Sequence, residues 1–150
     1  MSTDIVLRLS AFDELAYFSK LEKQPHAKQF INVTALQEHQ VNYSDPLFRY
    51  LSIELEGGVV AGYFILVLEP NEDSVEFRRV IVDSKHRGIG QVAIARMEEF
   101  SETQLNASQI WLDVYEDNAI GKHIYEKLGY LRFNSEHRGA RTLHYYEKYL

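Results

Sequence analysis

The hydrophobic pattern of this chain changes period once, near residue 83, and that change limits the folds it can adopt. Before it, apolar and β-branched residues fall in three runs, residues 49–55, 59–68 and 75–82. Runs of that composition and length read as strands. Glu56-Gly57-Gly58 and Pro70-Asn71-Glu72-Asp73 separate them, and both are short enough to join neighbours as antiparallel hairpins. After it, Ile89, Ala93, Met97 and Phe100 recur at steps of three or four, the stripe of a helix from about residue 88 to 104. A strand over 109–114, a helix over 118–128 and strands over 130–134 and 142–149 follow. A meander that gives way to strand–helix alternation predicts a mixed α/β domain with both antiparallel and parallel pairing.

The first third is read with less help from periodicity. Residues 5–9 form an opening strand. Ser10-Ala11-Phe12-Asp13 reads as a cap for a short helix whose apolar residues are Phe12, Leu15, Ala16 and Phe18. Thr34-Ala35-Leu36-Gln37 reads as a second cap, for a helix running toward Tyr43 that Ser44-Asp45-Pro46 ends. At 150 residues, with 45% hydrophobic and 25% charged residues, the chain predicts one folded domain over 1–150 rather than a disordered segment. It carries no apolar run near the ~20 residues a membrane span needs and no signal-type block, which predicts a cytoplasmic protein without a membrane partner. It has no cysteine, so thiol chemistry must come from a cofactor. Its six histidines are scattered without ligand-like spacing, and no metal site is expected.

Charge narrows the partners. Residues 78–96 hold Arg78, Arg79, Lys85, Arg87 and Arg96 against Asp83, a net of +4 that leaves −10 on the rest of a chain totalling −6. An acidic body excludes general nucleic-acid binding, whereas a local basic island suits a compact polyanion such as a nucleotide phosphate. A solvated charged face is the competing account of the same residues.

The segment Val80-Ile81-Val82-Asp83-Ser84-Lys85-His86-Arg87-Gly88-Ile89-Gly90-Gln91 takes a strand through a basic, glycine-containing turn into a helix. Backbone N–H groups at such a helix start favour phosphate, and the glycines allow close approach. Alone, the turn could equally be a tight connection; a Walker loop is excluded for want of Gly-Lys-Ser/Thr, and a Rossmann loop lacks its third glycine. A second strand–turn–helix, Trp111 to Tyr130, places Asn118 at a helix cap and Gly129 at its stop. Asn118 and Tyr125, seven residues apart, share one helical face about 10 Å apart along the axis.

Together the two segments resemble the GNAT superfamily of acyl-CoA-dependent N-acetyltransferases. The family's Arg/Gln-x-x-Gly-x-Gly/Ala loop is matched by Arg87-Gly88-Ile89-Gly90-Gln91-Val92, and its later signature by Asn118, Gly121, Tyr125-Glu126-Lys127 and Gly129-Tyr130. The resemblance spans roughly residues 50–134. One position departs from it: Val92 stands where the family has Gly or Ala, and is read as turning into the core with Ile89 and Ala93.

The resemblance implies a central, mostly antiparallel twisted sheet with one splayed parallel strand pair and flanking helices. It implies acetyl-CoA as cosubstrate, with Val80, Ile81 and Val82 pairing with pantetheine through their backbone. Arg87, Gly88, Ile89, Gly90, Gln91 and Val92 would hold the diphosphate and Asn118 the pantetheine arm. Tyr125 would be the acid for the departing thiolate and Glu76 the base, with a salt bridge to Arg78 as the competing account of Glu76; Val82 N–H would be the oxyanion donor. The implied reaction is direct acetyl transfer to a primary amine of a small metabolite, polyamine-like or amino-sugar in type, within a ternary complex. Two alternatives stand beside it: acetylation of a protein N-terminus, since residues 76–79 and 145–149 also resemble ribosomal-protein alanine acetyltransferases, and a non-catalytic acyl-CoA sensor. The aromatic C-terminal strand is suited to pairing across a homodimer.

Overall fold

Seven strands form one sheet in the order β1-β2-β3-β4-β5-β7-β6, where β1 is Ile5–Leu9, β2 Phe48–Leu55, β3 Val60–Glu69, β4 Ser74–Val82, β5 Gln109–Tyr115, β6 Leu131–Arg138 and β7 Arg141–Tyr149. The structure is a computed structural model that describes residues 4–86 and 88–150. Five helices accompany the sheet among these residues: α1 Leu15–Leu21, α2 Pro25–Lys28, α3 Leu36–Tyr43, α4 Gly90–Gln104 and α5 Ala119–Lys127. β1 to β4 are the expected antiparallel meander. β4 and β5 are the one parallel pair, and they pair only at Ser74↔Gln109, Val75↔Ile110 and Glu76↔Trp111. Beyond that point the strands part.

Alternation along the strands fills two cores. Ile53, Phe64, Leu66, Phe77, Ile110 and Leu112 meet Ala93, Ile94 and Met97 of α4, with Ile124, Tyr125 and Leu128 packed against them. On the opposite face Tyr50, Tyr63, Ile65 and Ile81 meet Leu15, Phe18 and Leu21. There the rings of Phe18 and Tyr63 stack with centroids 4.3 Å apart.

Four local readings are corrected by tertiary contacts. Ser10 does not cap a helix: its hydroxyl is buried against Ser52 Oγ at 2.7 Å. Ala11 occupies the cap position, and its N–H donates to Glu14 Oε1 at 2.8 Å. Thr34 is also diverted, its Oγ1 accepting from Arg79 at 2.9 Å, and Ala35 precedes α3. Of the first helix's expected apolar residues, Leu15 and Phe18 are buried, while Phe12 and Ala16 are exposed. α4 begins at Gly90 rather than Gly88, because Gly88 has φ +95°, a left-handed conformation no right-handed helix contains.

The helical layer of α1 to α3 is tied to the sheet through one buried carboxylate. Glu22, fully buried, accepts from Tyr63 Oη and from the Thr34 N–H at 2.7 Å. His39 Nε2 lies 2.7 Å from it and Arg79 3.0 Å. Burial opposes its ionisation, but the contacts from His39, Tyr63 and Thr34 and the charge of Arg79 hold the carboxyl below its ordinary range. Replacing Glu22 with Ala leaves Arg79 without its interior partner and is expected to cost about 3–5 kcal/mol in urea unfolding. Because the native pKa is depressed, this contribution is whole above the unfolded value of about 4.3 and is lost as pH falls through the native one. The E22A chain is therefore expected to show a flatter loss of stability in acid than the natural chain, and parallel acid profiles for the two would count against this account.

Candidate active site

The parting of β4 and β5 opens a cleft of about 800 Å³, walled by both strands, the start of α4, the first turns of α5 and the segment around α2. The backbone edge it exposes follows from ladder geometry. Asp83 N–H donates to Ala61 O at 2.7 Å, so alternate residues behind it turn toward β3 and the amides and carbonyls of Val80 and Val82 turn to the cleft. Val82 O is met there by side chains from the α2 segment: His26 Nε2 donates to it at 3.1 Å, and Gln24 Nε2 lies at 3.5 Å.

At one end of the cleft lie Gly88, Gly90 and Gln91. The amides of the opening turn of α4, residues 90–92, belong to the set that a helix leaves without an intrahelical acceptor; Ala93 N–H makes the bond to Ile89 O, at 2.9 Å. Gly88 needs to be glycine for its φ. Gly90 does not: its φ is ordinary and an added Cβ would meet no protein atom within 4 Å. Ile89 and Val92 turn against the core instead of the cleft. Arg87 lies outside the described residues. The basic island proves largely self-neutralised, since Arg78 pairs with Glu76, Arg79 with Glu22 and Arg96 with Glu99.

At the other wall, Asn118 Oδ1 accepts from Gly121 N–H at 2.9 Å and so caps α5. Gly121 is small for a reason: a Cβ there would come within 2.8 Å of Asn118 Nδ2. One helical face on, Tyr125 enters the same cleft, its ring edge-on to Phe77 at 5.8 Å. No described residue accepts a hydrogen bond from its hydroxyl. Burial, with the charge of Asp113, pushes that hydroxyl up to about 12, so it stays protonated across the neutral range.

Glu76 lines the cleft with both carboxylate oxygens held by Arg78, at 2.8 and 3.0 Å. Asp113, on β5, was not singled out from sequence. Though its side chain opens to the cleft, partial desolvation there raises its carboxyl above the ordinary range, and the charge of Glu76 adds to that. The signal was present as a carboxylate inside the apolar run Trp111-Leu112-Asp113-Val114. Among the described residues no three His, Cys, Asp or Glu converge as a metal site.

Residues 11–130 match the sequence profile described as the acetyltransferase (GNAT) family. The chain belongs to that family. It is accordingly an acyl-CoA-dependent N-acetyltransferase, and its splayed parallel pair is the GNAT arrangement. Among solved structures it is similar to a spermidine N-acetyltransferase from Vibrio cholerae in complex with CoA and spermine, at 20% identity and TM-score 0.85, covering 99% of this chain and 96% of that one. It is likewise similar to the spermidine/spermine N-acetyltransferase of that organism in complex with manganese ions, at 19% identity and TM-score 0.80, covering 98% and 93%. At such identities the likeness is one of fold. No curated protein matches the sequence.

The open space at Gly90 gives a direct check on where the cosubstrate lies. Gly90→Val is expected to leave thermal stability nearly unchanged, because the side chain meets nothing in the protein. It is expected to weaken acetyl-CoA binding by about tenfold or more, about 1.4 kcal/mol, in calorimetric titration. Unchanged affinity would mean that the cosubstrate does not lie on this turn.

Proposed function

We propose that this enzyme transfers the acetyl group of acetyl-CoA to the primary amine of a small metabolite, by direct attack within a ternary complex. The observation that carries the proposal is the meeting, in one cleft, of an unpaired strand edge, a protonated hydroxyl and a carboxylate of raised proton affinity. The residues present suit the cosubstrate. Val80 and Val82 offer backbone groups to a pantetheine arm once His26 yields Val82 O, the opening amides of α4 with Gly88, Gly90 and Gln91 suit a diphosphate, and Asn118 flanks the arm. Acetyl-CoA supplies an acyl group already activated as a thioester.

The chain's own residues then manage protons and charge. Between the acidic neighbours, Asp113 is the member available to take a proton from the incoming ammonium, because Glu76 is clamped by Arg78. Glu76 serves the base through its charge, which adds to the raised proton affinity of Asp113. As the N–C bond forms and the C–S bond breaks, Val82 N–H is placed to donate to the carbonyl oxygen as it gains charge. Tyr125 Oη gives its proton to the sulfur and regains one from the amine nitrogen, the remaining proton leaving to solvent. The acidic body of the chain favours a cationic acceptor, in keeping with the spermine bound by the solved relative.

Tyr125→Phe is expected to lower kcat by about 10²–10⁴ with little change in acetyl-CoA affinity. Carboxylate catalysis requires the deprotonated form, so kcat should fall on the acid side, with an apparent pKa above the ~3.9 of a free aspartate. Asp113→Asn is expected to abolish that acid limb and depress kcat throughout. Full turnover in both variants would overturn these assignments, and acetyl-CoA binding without turnover on any amine would overturn the proposed reaction.

A further inference from the structure

A second cavity, of about 360 Å³, lies beside the cleft at the start of β5, on the sheet face opposite α4. Three aromatic rings, Trp111, Phe133 and Tyr145, and three carboxylates, Glu69, Glu72 and Glu147, line it. The rings stand together, with Tyr145 6.2 Å from Trp111 and 6.1 Å from Phe133 between centroids. Trp111 Nε1 donates to Glu69, which fixes indole and carboxylate relative to each other. Phe133 is 51% exposed.

The charge here is unmatched. Among the described residues none of the three carboxylates takes part in an ion pair, and no Lys or Arg lies over any of the three rings. A separate observation points the same way. Ser74 lines the cavity, is only 3% exposed, and its Oγ has no hydrogen-bond partner. Buried hydroxyls are ordinarily satisfied.

Aromatic faces, carboxylates and an acceptor hydroxyl are together the complement of an alkylammonium group. A metal ion fits poorly, since the carboxylates do not converge as a metal-binding group. The cavity also adjoins the chemistry. Trp111 is the register partner of Glu76, and Tyr145 that of Asp113, so two cleft carboxylates and two cavity rings share one wall. From Asp113 back to the cavity is two to four residues of β5, roughly 7–13 Å at about 3.3 Å per residue.

We propose that this cavity seats a distal ammonium of the acceptor: the substrate is a dication, acetylated on one nitrogen beside Asp113 while the other lies between Trp111, Tyr145, Glu69 and Glu147. The inference rests on the amine-transfer reading above and narrows its substrate class.

The test compares a linear α,ω-diamine long enough to span that distance with the linear monoamine of the same length, on the natural enzyme and on a Glu69→Gln/Glu147→Gln double variant. The diamine is expected to show kcat/KM at least about tenfold higher, equivalent to about 1.4 kcal/mol. The double variant should erase that preference through KM, leaving kcat and the monoamine kinetics in place. Equal use of the two amines, or an equal effect of the variant on both, overturns the proposal while leaving amine transfer standing. A readout independent of turnover is available because Trp111 is the chain's single tryptophan. Its fluorescence should change saturably with the diamine in the presence of CoA, in the natural chain and much more weakly in the variant. Silence of Trp111 overturns the proposal even if amines are acetylated. If no amine is acetylated, the reaction proposed above fails, and a saturable Trp111 response lost in the variant would still support the cation site.

Discussion

The parallel pairing of β4 with β5 ends at Glu76 and Trp111, and the functional features of the molecule descend from that ending. Strands that stay paired satisfy each other's backbone and leave nothing to offer a ligand. Here Val80 and Val82 keep their polar groups turned to the cleft, where side chains from the α2 segment reach only the carbonyl of Val82. Two features hold the strands apart. The register shift against β3 passes over Arg78 and bends β4 at the point of divergence. Phe77 and Tyr125, edge to face, then fill the wedge on the α5 side. Tyr125 thus both packs this wedge and lines the cleft.

Glu22 plays the equivalent part on the opposite face. It has no access to substrate, yet Arg79, which it binds, is a wall of the cleft, and Thr34 joins the same cluster from the segment leading into α3. A buried carboxylate is a costly way to join elements compared with apolar contact. What it adds is direction: tyrosine, histidine, arginine and a backbone amide can satisfy it together in few arrangements, so the α1–α3 layer is set over β4 in a fixed pose. The stacked rings of Phe18, Tyr50 and Tyr63 alone would tolerate sliding; the carboxylate at Tyr63 Oη does not.

The sequence made the sheet legible because its signals are local. Alternation and turn chemistry located β1 to β4 and both hairpins to within a residue or two, and the two strand–turn–helix units gave the parallel step. Where a hydroxyl could serve either a cap or a distant partner, as at Ser10 and Thr34, local reading chose the cap and tertiary contact chose otherwise. α2, four residues opened by Pro25, is too short to carry a period. β6 runs to Arg138, past the expected end at residue 134, because all its residues are exposed and its polar composition hides the strand. In the site, the motif residues were legible by spacing, while Asp113 and the aromatic cavity were not, since they arise from β5, β6 and β7 meeting across the sheet.

The same meeting revises how charge is used. The run of basic residues around the phosphate turn invites a reading of long-range attraction for a polyanion, but Arg78, Arg79 and Arg96 are each matched by a carboxylate. The body around them carries excess negative charge, which at physiological salt is screened beyond about 8 Å. Attraction at range is therefore weak, and under the proposed reading a diphosphate on this turn would be held chiefly by short-range hydrogen bonds from the opening amides of α4. Those donors are directional and act only in contact. The carboxylates around β5, by contrast, act on any cation that comes near. On that reading one cleft thus presents oriented amides at one end and Asp113 away from them, so an anionic cosubstrate and a cationic acceptor would meet different partners on the way to Tyr125.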